Sequence, residues 1–218
     1  MKLRYRTVLV VMLVLVPAGT RADDWPVPQM RNLFSKDGSH FVRIVPGSSW
    51  GDVVGFRGAE TGDYARGLFY ALQADRSYRL LADVALVNPV APVDALVTKR
   101  GELVTFDNWH NFGFGAVIAI YGPTGALRAS YTVEELYGDG KLSDVPQSVS
   151  SRWWRCQPTG FVDPHTETSI YVREHLGGQS VVALSPPSFT YHPGEAECAP
   201  PPRRCPRPGS ASEEPLTA

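Results

Sequence analysis

Residues 117–131 read VIAIYGPTGALRASY, and this stretch constrains the fold more than any other. Leu127, Ala129 and Tyr131 alternate with Arg128 and Ser130, a period of two that gives a strand one apolar and one wet face. Residues 117–121 are apolar at every position, as a strand covered on both faces requires. Between them stand Gly122, Pro123, Thr124 and Gly125, where proline presets φ and glycine accepts positive φ, so the unit is a β-hairpin.

The same plan recurs. Residues 68–73 and 78–82 flank a turn at Ala74, Asp75, Arg76 and Ser77, and residues 170–172 and 180–184 flank Leu176, Gly177 and Gly178. Further strands are expected at 41–45, after the turn Ser35, Lys36, Asp37, Gly38, and at 93–97 and 102–107, around Thr98, Lys99, Arg100 and Gly101. Pro26 and Pro28 make residues 25–34 an extended lead-in. One helix signal is present: Thr132 and Glu135 have capping-box spacing before Leu136, with Gly138 placed to end the turn. The fold class expected is all-β, antiparallel hairpins and meanders in a propeller-like partial array or a sandwich, with one short helix.

Residues 94–131 (DALVTKRGELVTFDNWHNFGFGAVIAIYGPTGALRASY) resemble one blade of the bacterial propeller proteins built on YVTN-type repeats. A glycine turn precedes a strand ending in a polar run, Thr105 to Asn108; a second strand follows at 117–121, and Thr124 and Gly125 occupy the Thr-Gly hairpin turn. Tyr121 stands where those repeats end the strand in Asp. Weaker echoes lie at 35–83 and 151–184. Propellers close with about four to eight four-stranded blades, and this body has room for roughly three, so an open or incomplete array, or a sandwich of the same hairpins, is what the length permits. The resemblance implies a binding or scaffolding role rather than a reaction.

The first 22 residues follow the export-signal plan. Lys2, Arg4 and Arg6 precede an apolar run at 8–16, and Pro17, Ala18 and Gly19 lead to a small-residue cleavage site ending at Ala22. The run is roughly half the ~20 residues that a helix needs to cross a bilayer. The expected location is the periplasm or the cell exterior, with no membrane span in the mature chain. Of the 21 basic residues four lie in this leader, leaving 17 against 22 acidic, a net charge of −5. That balance disfavours a nucleic-acid partner, which needs a dense basic surface. Residues 193–218 hold seven prolines and one large aliphatic residue, Leu216. They are expected to be a disordered tail after a single domain at 23–192.

Three cysteines allow one internal disulfide. Cys156 with Cys198 would tie the tail to the body; Cys198 with Cys205 would close a small Pro-rich loop. No Cys-x-x-Cys motif points to redox chemistry.

Among candidate sites the densest constellation is Asp107, Asn108, Trp109, His110 and Asn111, followed by Phe112, Gly113, Phe114 and Gly115. It joins two apolar strands, and its carboxylate, amides, imidazole and rings suit a sugar, a peptide or an aromatic ligand. The same residues also cap turns and plug cores, so a structural reading stands beside the binding one. Gly47, Ser48, Ser49, Trp50 and Gly51 match Gly-x-Ser-x-Gly, with Asp163 and His192 in triad order. The helix that a nucleophile elbow requires is opposed by Gly55, Gly58 and Gly62. Asp163, His165 and Glu167 alternate, but Pro164 favours a solvated turn over a metal site. His40, His175 and His192 are isolated. Of the adjacent Trp153 and Trp154, one is expected in the core and the other covered by a loop or exposed.

These features point to an exported envelope protein, a non-enzymatic interaction or ligand-binding module for a protein or small-molecule ligand. No catalytic residue, metal or cofactor is assigned. A secreted serine hydrolase using Ser49 and a purely structural envelope component are the alternatives.

Overall fold

The computed structural model describes residues 25–49, 62–137, 142–148, 150–156 and 159–194. The leader, Trp50 and Gly51 of the serine motif, Gly138, Cys198, Cys205 and nearly all of the Pro-rich tail lie outside the described residues. Three four-stranded antiparallel sheets form, each a meander in chain order. The first contains β1 (Arg31–Phe34), β2 (His40–Val45), β3 (Arg66–Leu72) and β4 (Tyr78–Ala85). In the second are β5 (Pro92–Val97), β6 (Leu103–Asn108), β7 (Ile118–Tyr121) and β8 (Leu127–Tyr131). The third comprises β9 (Gly160–Phe161), β10 (Ser169–Arg173), β11 (Gln179–Leu184) and β12 (Pro187–His192). The fold is all-β, and among the described residues no sheet closes into a barrel.

The middle sheet is covered on both faces. Alternation along β6 and β7 sends Val104, Phe106, Ile118 and Ile120 into a core shared with Ile170, Val172, Val182 and Leu184 of the third sheet. The intervening Leu103, Ala119 and Tyr121 enter a second core with Val42, Ile44 and Phe69 of the first. Every residue of β6 and β7 is therefore buried. The last strand of each sheet (β4, β8, β12) is mostly exposed or half-buried, as are β1 and β9, so the buried strands lie inside the first and third sheets and at the start and middle of the second.

Tight turns at one end of the stack set the registers. Ser35 to Gly38 and Thr98 to Gly101 are closed alike, the glycine N–H donating to the first carbonyl at 2.9 Å in both. Gly101 needs its freedom twice over: its φ is +78°, and a Cβ there would sit 2.7 Å from the His40 ring. The helix α1 (Val133–Tyr137) follows β8. Thr132 Oγ1 accepts the Glu135 N–H at 3.2 Å and Glu135 Oε2 accepts the Thr132 N–H at 2.6 Å, the reciprocal capping box. A 3-10 turn at Leu142–Asp144 is the other helical element among the described residues.

Candidate functional site

The other end of the stack gathers the connections between strands and sheets, and the candidate loop at Asp107 to Asn111 lies at its centre. β6 ends in that loop, with Asp107 at φ 55° and His110 at φ 68°, left-handed positions that Asp and His accept more readily than branched residues. Asp107 is fully buried. Its Oδ1 accepts the Trp154 Nε1–H at 2.7 Å and the Gly113 N–H at 3.0 Å, while Oδ2 accepts Arg155 Nε at 2.6 Å. The Arg155 side chain is itself 0% exposed, lies 5.3 Å from the Phe106 and Phe112 ring centres, and donates from Nη1 to Thr159 Oγ1 at 2.9 Å. Burial pushes the Asp107 carboxyl above its ordinary value, against the opposing pull of Arg155 and the two N–H donors.

The neighbours complete a brace. Asn108 donates from its amide nitrogen to the Phe114 carbonyl at 2.7 Å and receives the Asn88 amide on its Oδ1 at 2.8 Å. Trp109 packs 5.7 Å from Trp25, and its indole N–H donates to the Pro26 carbonyl at 2.9 Å, fastening the lead-in segment. Asn111 is buried. His110 is half-buried with its ring 5.8 Å from Trp25, and desolvation lowers its basicity. The structure thus brings all five candidates together and commits Asp107, Asn108 and Trp109 to bonds that join the second sheet to Arg155, Asn88 and Pro26.

The remaining candidates do not converge. Ser49 has no exposed surface, its hydroxyl has no hydrogen-bond partner among the described residues, and its N–H donates to the Asp63 carbonyl. It belongs to the connection between β2 and β3, whereas Asp163 lies in the loop between β9 and β10 and His192 ends β12, both on the far side of the second sheet. Asp163 accepts the His165 N–H at 2.8 Å and the Thr166 hydroxyl at 2.9 Å. Glu167 turns away, buried, to accept the Lys99 N–H at 2.7 Å. No cluster of three or more potential ligands has metal-binding geometry among the described residues. Trp154 is fully buried and Trp153 half-buried. Cys156 Sγ lies 3.7 Å from the Glu174 carbonyl oxygen.

A surface not singled out in the sequence lies on the first sheet. Val42, Ile44 and Phe69 face the shared core, so the opposite parity faces outward. On that outward face Phe34 pairs with Phe41, Phe41 with Tyr70 and Tyr70 with Leu80 in one rung across four strands. Phe41 and Tyr70 stack at 4.3 Å, Phe34 lies 5.0 Å from Phe41, and Tyr78 meets Phe41 edge-on at 4.8 Å. The next rung is Asn32, Arg43, Leu68 and Asp83. Phe34 is 55% exposed, Leu80 47%, Leu72 42% and Tyr78 37%. Alternation revealed the strands, but which face meets another sheet depends on three-dimensional stacking.

No protein-family model matches the chain, and no curated protein matches it significantly.

Proposed function

We propose that this chain is an exported, non-enzymatic binding module of the bacterial envelope that takes its ligand on the open face of its first sheet. The observation that carries the reading is the outward side of the first sheet, where Phe34, Leu72, Tyr78 and Leu80 stand exposed around the buried Phe41 ring; grouped exposed apolar side chains with polar neighbours mark interaction sites. The leader pattern supports export, and the resemblance of residues 94–131 to a propeller blade supports a display platform. The loop at Asp107 to Asn111 contributes by holding the platform rigid. Burial of Ser49 speaks against the hydrolase alternative, because an enzyme nucleophile must meet its substrate.

The mature chain should co-sediment with the isolated envelope fraction, and Phe34→Ser with Leu80→Ser should abolish this while leaving the unfolding midpoint within a few degrees. Retention of the double variant equal to wild type would refute the reading. Covalent labelling of Ser49 by a fluorophosphonate would favour the hydrolase instead.

A further inference from the structure

We infer that the open face of the first sheet is a subsite for an acidic polysaccharide, with sugar rings packed on Phe34 and Tyr78 and a uronic carboxylate held by Arg43. The inference rests on the binding-module reading above and names its ligand.

Arg43 supplies the charge. Its Nε donates to Asn32 Oδ1 at 2.9 Å and its guanidinium carbon lies 6.0 Å from the Tyr70 ring centre. No carboxylate pairs with it among the described residues, whereas Arg66, Arg100, Arg128, Arg152 and Arg155 each have one. The terminal nitrogens of Arg43 thus present an open fork beside the aromatic rung, a geometry suited to bidentate carboxylate binding.

Charge is also unevenly distributed. Three charged side chains stand on the outward parity of the described strands, Arg43, Arg66 and Asp83, and Arg66 pairs with Asp83 at 2.8 Å, which leaves one positive charge on the face. The mature chain as a whole carries −5, from 17 basic and 22 acidic residues. An anionic ligand complements that positive charge on the face.

The size and shape of the face select among anionic partners. Four strands at about 4.8 Å spacing and about six residues at about 3.3 Å give a face of roughly 400 Å². A stable protein–protein interface needs about 800 Å² per side, so a second copy of this chain would be held poorly. A peptide laid on the face would find no backbone partners for its N–H and C=O groups, which a sheet offers at its edges. A pyranose ring suits the surface: its C–H face packs on an aromatic ring while its outward hydroxyls stay hydrated.

The test is titration of the mature chain with an alginate hexasaccharide, with maltohexaose as the neutral control. Binding is expected for the uronate, weakened by salt, with the neutral sugar at least about tenfold weaker, as loss of one charged hydrogen-bonded pair predicts. Arg43→Gln should lower uronate affinity by about tenfold, and Phe34→Ser should weaken it too. Equal binding of both sugars, or of neither, would overturn the inference. If Phe34→Ser and Leu80→Ser still removed envelope retention in that case, the binding-module reading would survive alone. Binding to anionic phospholipid vesicles without uronate binding, or a Phe34-dependent dimer in sedimentation, would likewise overturn it.

Discussion

The backbone N–H of Lys99 donates to Glu167 Oε2 at 2.7 Å, tying the first turn of the second sheet to the loop between β9 and β10 of the third. Arg100 reaches the Glu167 carbonyl at 3.4 Å, and the Ser39 hydroxyl, in the turn before β2 of the first sheet, lies 3.2 Å from the Lys99 carbonyl oxygen. One short turn therefore touches all three sheets. Glu167→Ala leaves a part-buried N–H without its acceptor and should cost about 1–3 kcal/mol, with Glu167→Gln restoring part of that loss. Urea unfolding of the two variants measures the difference.

At the opposite end, Asp107 and Arg155 form an ion pair with both side chains 0% exposed. Asp107→Ala strands a buried guanidinium and should destabilise by about 3–5 kcal/mol, far more than an exposed pair would. Arg155→Met in the same chain should recover much of this, because the isolated charge is then gone. A double-mutant cycle in urea reads the coupling.

Gly113 has φ +76°, and a Cβ there would lie 2.3 Å from the Arg152 carbonyl oxygen. Neither the conformation nor the backbone neighbour can adapt cheaply, so Gly113→Ala should lower the unfolding midpoint sharply, as misfit backbone substitutions do. Thermal denaturation followed by near-ultraviolet circular dichroism reports it through Trp154, whose indole shares the Asp107 carboxylate with the Gly113 N–H.

Desolvation raises the Asp37 pKa, but the hydrogen bonds from the Ser35 and Ser39 hydroxyls and the Ser39 N–H together outweigh it and lower the value from 3.8 to about 2. A carboxyl depressed on folding stabilises fully above its unfolded value and loses that contribution as pH falls toward the folded one. Between about pH 4 and pH 2, stability should therefore drop with acid, and Asp37→Asn should flatten that slope. The effect is small, since Asp37 is exposed and screened by solvent. Unfolding curves across this pH range measure it.

The hairpins were legible because their signals are local. Residues 117–131, 68–82 and 170–184 each carry both the alternation and the turn chemistry, and each pairs as expected. The capping box at Thr132 and Glu135 was legible for the same reason. Strands β1, β9 and β12 were missed. β1 follows Pro26 and Pro28 and has four residues, β9 has two, and β12 begins at Pro187, so each depends on a neighbour rather than on its own pattern. The loop at Asp107 to Asn111 stood out by composition, but its attachment to Arg155, Trp154 and Asn88 spans 19 to 48 residues of sequence. No spacing rule announces such contacts. The open aromatic face was hidden because Phe34, Phe41, Tyr70 and Leu80 lie on four separate strands and form one rung only after pairing.

In β7, neighbouring residues serve opposite layers: Ile118 and Ile120 fill one interior, Ala119 and Tyr121 the other. A slip of a single position would put an alanine and a tyrosine where one interior takes two isoleucines, and two isoleucines where the other takes the alanine and tyrosine, so that neither fits. The double lining thus acts as a proofreading device during assembly, penalising every misaligned pairing of this strand from two sides.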